Sequence, residues 1–205
     1  VAALLFALAP VTAISSTSAY TDTAMVCAHL ALFALLIEWK DKPSAMFALH
    51  AGAIAGLCYA IKISGAFTIL AAFAFIRWRR HPVHGGVFAA TGSVVAAPWM
   101  LKAWWLTSNP LAPLGNALFD NDAFRAASEL ALAEYLRSYG LSSWTEIPRQ
   151  LLISGESLQG LLGPVFVLAP VALFALRKPA GRWLLAAAAV AGAPWTMNCG
   201  ARFLM

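Results

Sequence analysis

Apolar residues fall in blocks at roughly 1–15, 23–38, 46–61, 64–77, 84–106, 161–176 and 183–199, most of them close to the ~17–25 residues that cross a hydrocarbon core. Lipid offers no partner to a backbone amide, so each block is predicted to be a helix. About seven crossings follow. The stretch 45–76 admits two readings. As one helix it would be ~48 Å long, beyond a ~30 Å core even with tilt, and Lys62 would be stranded near mid-membrane. As two short helices with a turn at Ile61-Lys62-Ile63-Ser64-Gly65, it keeps Trp39-Lys40-Asp41-Lys42 and Arg77-Trp78-Arg79-Arg80 on one side, as the bias of basic loops toward the cytoplasm requires. The second reading is adopted.

With those two loops and Arg177-Lys178-Pro179-Ala180-Gly181-Arg182 in the cytoplasm, the opposite face receives residues 15–22, 62–65, a long segment from about 107 to 160, and Arg202. The long segment opens with Thr107-Ser108-Asn109-Pro110-Leu111-Ala112-Pro113-Leu114-Gly115-Asn116, whose prolines, glycine and asparagines predict an ordered loop. Asn121 or Asp122 is then expected to cap a helix that runs to about Ser138 and ends at Gly140. Its apolar Phe124, Ala127, Leu130, Ala131 and Leu136 are mixed with Arg125, Glu129, Glu134 and Arg137, a pattern that suits a helix on the membrane surface or over the mouth of a cavity. The expected fold is therefore all-α, a polytopic helical membrane protein with about seven transmembrane helices and an extracytoplasmic amphipathic helix. Residues 1–205 read as part of one transmembrane domain: five helices over 1–106, the outer loop and surface helix over 107–160, and two helices with the start of another outer loop over 161–205.

Composition agrees with the pattern. A chain of 205 residues that is 61% hydrophobic and 11% charged, with a mean hydropathy of +0.74, has too little polar surface to coat a soluble globule. Its net charge of +5 sits in short runs between apolar blocks, too short to build a nucleic-acid groove. Cys27, Cys58 and Cys199 stand singly in apolar stretches, without ligand spacing, and are expected as free, buried thiols. The apolar start at Val1 and the stop just after the last apolar block are read as those of a piece of a longer protein.

Two ionisable residues lie at the ends of apolar blocks, where charge must be solvated, paired or used. They are Asp22, in Tyr20-Thr21-Asp22, and Lys62, in Ala60-Ile61-Lys62. The topology places both on the outer face, although it was built only from the clustered cytoplasmic charges.

Three stretches, in order, resemble the lipid-carrier-dependent glycosyltransferases of the GT-C superfamily. These are Pro10 with Ser18-Ala19-Tyr20-Thr21-Asp22; the glycine-spaced run from Ala51-Gly52 through Ala55-Gly56 to Ile61-Lys62; and Pro98-Trp99-Met100-Leu101-Lys102 followed by Ser108-Asn109-Pro110-Leu111-Ala112-Pro113-Leu114. Gly163-Pro164 opening a helix, Pro170 within it, and Arg202-Phe203-Leu204 also fit. The pattern is similar to bacterial protein-mannosyltransferase-like and aminoarabinose-transferase-like membrane proteins. The chain departs from the commonest family pattern at Ile61-Lys62-Ile63, where Thr-Lys followed by Gly or Tyr is usual.

The resemblance implies transfer of a sugar from a polyprenyl-phosphate carrier to a glycan, lipid or protein acceptor outside a bacterial inner membrane. The polyprenyl-phosphate sugar is the donor substrate; no cofactor is assigned, and a divalent-metal requirement is left open. It implies a main catalytic acid upstream of Val1, places Asp22 at the family's second acidic position, and makes Lys62, Lys102, Arg202 and Asn109 the substrate-binding set. The residue types suit the reaction. A departing phosphate needs fixed positive charge, which a lysine supplies with its stem in lipid and its ammonium at headgroup level. A carboxylate within ~3 Å can take a proton from an acceptor hydroxyl. Each residue also has a plainer reading. Asp22 suits the positive end of a helix dipole, Lys62 can be an interfacial snorkelling lysine, and Lys102 among Trp99, Trp104 and Trp105 an aromatic-belt anchor. Arg202 can simply end a helix. His29 and His50 lack a second ligand at helical spacing, so neither is expected to hold a metal. Gly52 and Gly56 have the spacing that lets helices pack closely. A secondary transporter or flippase for a lipid-linked or small solute is the competing class, but such proteins place paired repeats and broken helices at mid-membrane.

Overall fold

A computed structural model describes residues 2–18, 20–119, 121, 125–138, 143–157 and 160–192. The described elements are all helical, and no strand occurs among them. In chain order they are α1 Ala2–Leu8, α2 Pro10–Thr17, α3 Asp22–Asp41, α4 Ala45–Ile61, α5 Gly65–Trp78, α6 Pro82–Thr107 and α7 Ala126–Ser138, then the short α8 Ile147–Arg149 with a π-helical turn Gln150–Ser154, a 3-10 helix Pro164–Arg177, and α9 Pro179–Gly192. The chain forms two compact units. One comprises Val1–Val26 and Leu136–Met205, the other Cys27–Tyr135.

The second unit is built on α4, α5 and α6, which reverse direction through short turns. The first turn is the predicted one. The Lys62 amide donates to the Cys58 carbonyl (3.1 Å) and the Gly65 amide to the Lys62 carbonyl (2.8 Å), ending α4 and starting α5. At the start of α4, the Ser44 hydroxyl accepts from the Phe47 amide and caps the helix. Gly52 and Gly56 then face α6 with no side chain between the backbones. A Cβ on Gly52 would lie 3.0 Å from the Phe88 Cα, and one on Gly56 would lie 2.8 Å from the Val95 Cβ. Gly92 answers from α6, where a Cβ would meet the Gly52 carbonyl at 3.2 Å. The small-residue spacing in the sequence is thus used for close helix contact.

Leu32, Leu36 and Trp39 of α3 pack with Ala48, Ala51 and Ala55 of α4, Ala72 and Ile76 of α5 and Phe88 of α6 to make the core. Trp39 is fully buried, and its indole N–H donates to His84 Nδ1 at 3.2 Å. Its ring also meets His81 edge-on at 5.2 Å, and the His81 and His84 rings stack in parallel at 5.0 Å. These contacts place the end of α3 beside the α5–α6 turn, so the basic runs at 39–42 and 77–80 share one end of the unit. At mid-height His29 Nε2 and Thr68 Oγ1 are 2.7 Å apart, a hydrogen bond between α3 and α5.

In the first unit, the apolar block at 1–15 breaks at Ala9, which is extended (ψ 128°) ahead of Pro10. Proline lacks an amide donor and disfavours helical geometry in the residue before it, so one predicted helix becomes two. The Val11 amide donates to the Leu161 carbonyl (3.0 Å), and Gly163, at φ +97°, packs beside Pro10, where a Cβ would come within 3.3 Å of the ring.

The expected count of seven crossings is not met by the helices described. Among them only α3, at 20 residues, is both long and apolar enough to cross a membrane. The shortfall has local causes. Ala45–Ile61, Gly65–Trp78 and Phe166–Arg177 are apolar but shorter; α5, at 14 residues, rises only ~21 Å. α6 is long enough at 26 residues, but His84, Thr91, Ser93, Pro98 and Lys102 dilute it. The block at 161–176 is drawn into a 3-10 helix with Pro170 inside. A helix is present in the predicted place as α7, but it starts at Ala126, later than the predicted cap. Asn121 instead donates from its carboxamide to Asn116 Oδ1 (3.2 Å) and the Phe119 carbonyl (3.1 Å); Asp122, Phe124 and Gly140 lie outside the described residues.

Candidate functional site

The second unit carries a groove of about 650 Å³ between α5 and α6, with Tyr59 of α4 in its wall. Ile69 and Phe73 line one side and Phe88, Met100 and Trp104 the other, and Pro110 borders it beyond the end of α6. Tyr59 and Ser93 bring the hydroxyls to an otherwise apolar wall. Such a surface fits a branched hydrocarbon and offers almost nothing to a polar solute.

Neither predicted lysine is among the residues that line it. Lys62, half-buried, directly follows α4, a few residues on from the wall residue Tyr59. Lys102 is exposed on α6, on a face of the helix other than that of the lining residues Met100 and Trp104. Asp22 belongs to the first unit, where it is the first residue of α3 and is 8% exposed. Its position suits both the helix-dipole reading and a retained functional carboxylate. Arg202 lies outside the described residues.

Asn109 is fully buried, and its polar atoms are engaged within the loop. Its Nδ2 donates to the Leu114 carbonyl (2.8 Å) and to Asn116 Oδ1 (3.0 Å), while its Oδ1 accepts from the Leu111 amide (2.8 Å). These bonds make it the organiser of the loop that begins after α6. The Thr107 hydroxyl steadies the junction by donating to the Ala103 carbonyl (2.7 Å).

One residue that the sequence shows only as a charge on the amphipathic helix completes this loop. Glu129, on the first turn of α7, receives the Asn116 amide (3.0 Å) and the Asn116 Nδ2 (2.9 Å) on one oxygen and the Gly115 amide (3.3 Å) on the other. The Asn116 amide bond, with help from the Gly115 amide and the Asn116 carboxamide, holds the Glu129 carboxyl below its ordinary value against partial loss of solvent. Asn116 supplies a further link by donating to the Pro113 carbonyl (2.6 Å). The signal in the sequence was the asparagine-rich loop with an acid thirteen positions on from Asn116, which points to no partner until the fold brings them together.

The thiols divide: Cys58 is buried as expected, Cys27 is exposed, and Cys199 lies outside the described residues. Among the described residues no group of three or more His, Cys, Asp or Glu side chains is placed to hold a metal ion. No family model matches the chain, and comparison with curated proteins and with solved structures finds no match either.

Proposed function

We propose that this chain is part of an integral-membrane glycosyltransferase that moves a sugar from a polyprenyl-phosphate carrier to an extracytoplasmic acceptor. The observation that carries the reading is the apolar groove along α5 and α6, with Lys62 following α4 a few residues on from the wall residue Tyr59. An amphiphile with a long hydrocarbon and one anionic head fits both features, and the sequence resemblance names a lipid of that class.

In this reading α3 spans the bilayer, and the shorter apolar helices Ala45–Ile61, Gly65–Trp78 and Phe166–Arg177 do so by drawing it thinner around them. The basic end of the second unit faces the cytoplasm and the Lys62 end faces out. The isoprenoid lies in the groove. The Lys62 ammonium, assisted by Lys102 and Arg202, holds the phosphate and stabilises the charge that gathers on it as the bond from the sugar C1 to the phosphate oxygen breaks. The acceptor oxygen forms the new bond to C1 and gives its proton to a carboxylate, the role that the sequence resemblance implies for Asp22. Asn109 serves the site by shaping the loop.

Sugar transfer by the full-length protein in proteoliposomes, with a polyprenyl-phosphate sugar as donor, tests the assignment. K62A is expected to lower the transfer rate by about 10²–10³, the effect of removing one preorganised electrostatic group, and D22N by about 10²–10⁴, as for loss of a general base. Wild-type rates in both variants would overturn the proposal.

A further inference from the structure

The loop at 108–119 borders the groove through Pro110, and its position is fixed from a distance. Pro110 sits between Asn109 and Leu111, which are tied together by the Asn109 Oδ1 bond to the Leu111 amide. Asn109 is tied to Asn116 Oδ1, and Asn116 is tied through its amide and its carboxamide to Glu129. The chain of bonds therefore runs from the edge of an apolar groove to a single carboxylate on α7. Among the described residues of the loop, no side chain carries charge, so Glu129 supplies the only ionic bonds in the network.

Burial does little to hold α7 itself. Leu130 is 72% exposed, Tyr135 56% and Leu132 48%. The described contacts joining α7 to the loop are those of its first-turn acid. Loop hydrogen bonds that converge on one carboxylate beside largely exposed apolar side chains open locally at lower cost than the packed α4–α6 pair.

We propose that Glu129 is a positioning residue that latches the loop at 108–119 over the end of the groove, and so governs how readily an isoprenoid phosphate enters and leaves. The proposal rests on the carrier reading given above. It assigns Glu129 no contact with substrate. Its effect passes through Asn116 and Asn109 to Pro110, and losing the carboxylate leaves the Gly115 and Asn116 amides without acceptors.

The test compares wild type, E129A and E129Q in nanodiscs by two readouts. One is hydrogen exchange at the Gly115 and Asn116 amides. The other is the dissociation rate of farnesyl phosphate, a short isoprenoid phosphate. E129A is expected to exchange both amides about tenfold faster, as local opening becomes easier, and to release farnesyl phosphate about fivefold faster, the change residing in the off-rate. E129Q keeps the side-chain shape and one acceptor, so it is expected to fall between the two and guards against a folding defect in E129A. Unchanged release from both variants, with the wild type binding the probe, overturns the latch and leaves the glycosyl-transfer reading standing. Absence of binding by the wild type overturns both.

Discussion

At the scale of single residues, side-chain chemistry was legible in part. Asp22 and Lys62 stand out in the sequence because charge at the end of an apolar block needs a reason. Glu129 does not, because an acid among other charges on an amphipathic helix has an ordinary solvated explanation; only the folded loop shows three donors converging on it. Asn109 is buried with its side chain bonded within the loop, and hydrogen-bonding capacity in a sequence does not by itself say whether backbone or ligand will use it. The lowered Glu129 carboxyl gives a pH dependence with a definite sign. Its folded-state value lies below that of the unfolded chain, so its contribution is complete above the ordinary glutamate value of ~4.3 and disappears as the pH falls through the lowered folded value. The facing loop at 107–119 brings no titratable group, while Arg125 and Glu134 are the neighbouring charges on its own side. The melting temperatures of wild type and E129Q are therefore expected to differ most near neutral pH and to converge in acid. Parallel curves across that range would show that the carboxylate charge is not what holds the loop.

At the scale of elements, the α4–α5 turn, the helix α7 and the use of the glycine pair could all be read from the chain. The last is the most exacting, because a side chain added at Gly56 collides with Val95 and with the Gly92 backbone. Backbone atoms there have no rotamer to change. G56L is expected to destabilise the protein by about 1–3 kcal/mol, the usual range for overpacking, visible as a lower thermal midpoint in detergent. G86L makes the control, since nothing lies within 4 Å of a Cβ at Gly86 and leucine favours a helix more than glycine does; an equal loss in the two variants would show that the seam is not responsible. Helix length was less legible. Hydropathy marks where apolar residues are, but Pro10 and Pro170 decide where a helix can continue, and their backbone consequences divided the first block and tightened the later one.

At the scale of the whole molecule, the hydropathy pattern carried the all-helical fold. The chemistry required positions distant in sequence to meet, which no periodicity encodes. The membrane reading makes a direct demand. A chain that is 61% hydrophobic, with exposed Leu70, Val94, Trp105 and Phe174, should remain with the bilayer after alkaline carbonate extraction of membranes carrying it. Release into the supernatant would sink that reading and the carrier chemistry with it.

The glycine seam also constrains how the molecule can move. Where two helices meet backbone to backbone, there is no cushion of side chains to rearrange, so sliding or parting them has few small steps available. α4 and α6 are thus joined as one stiff plank, and accommodation of a bulky guest falls to the part of α5 beyond Gly65, where that glycine's own backbone contact with Cys58 of α4 acts as the pivot.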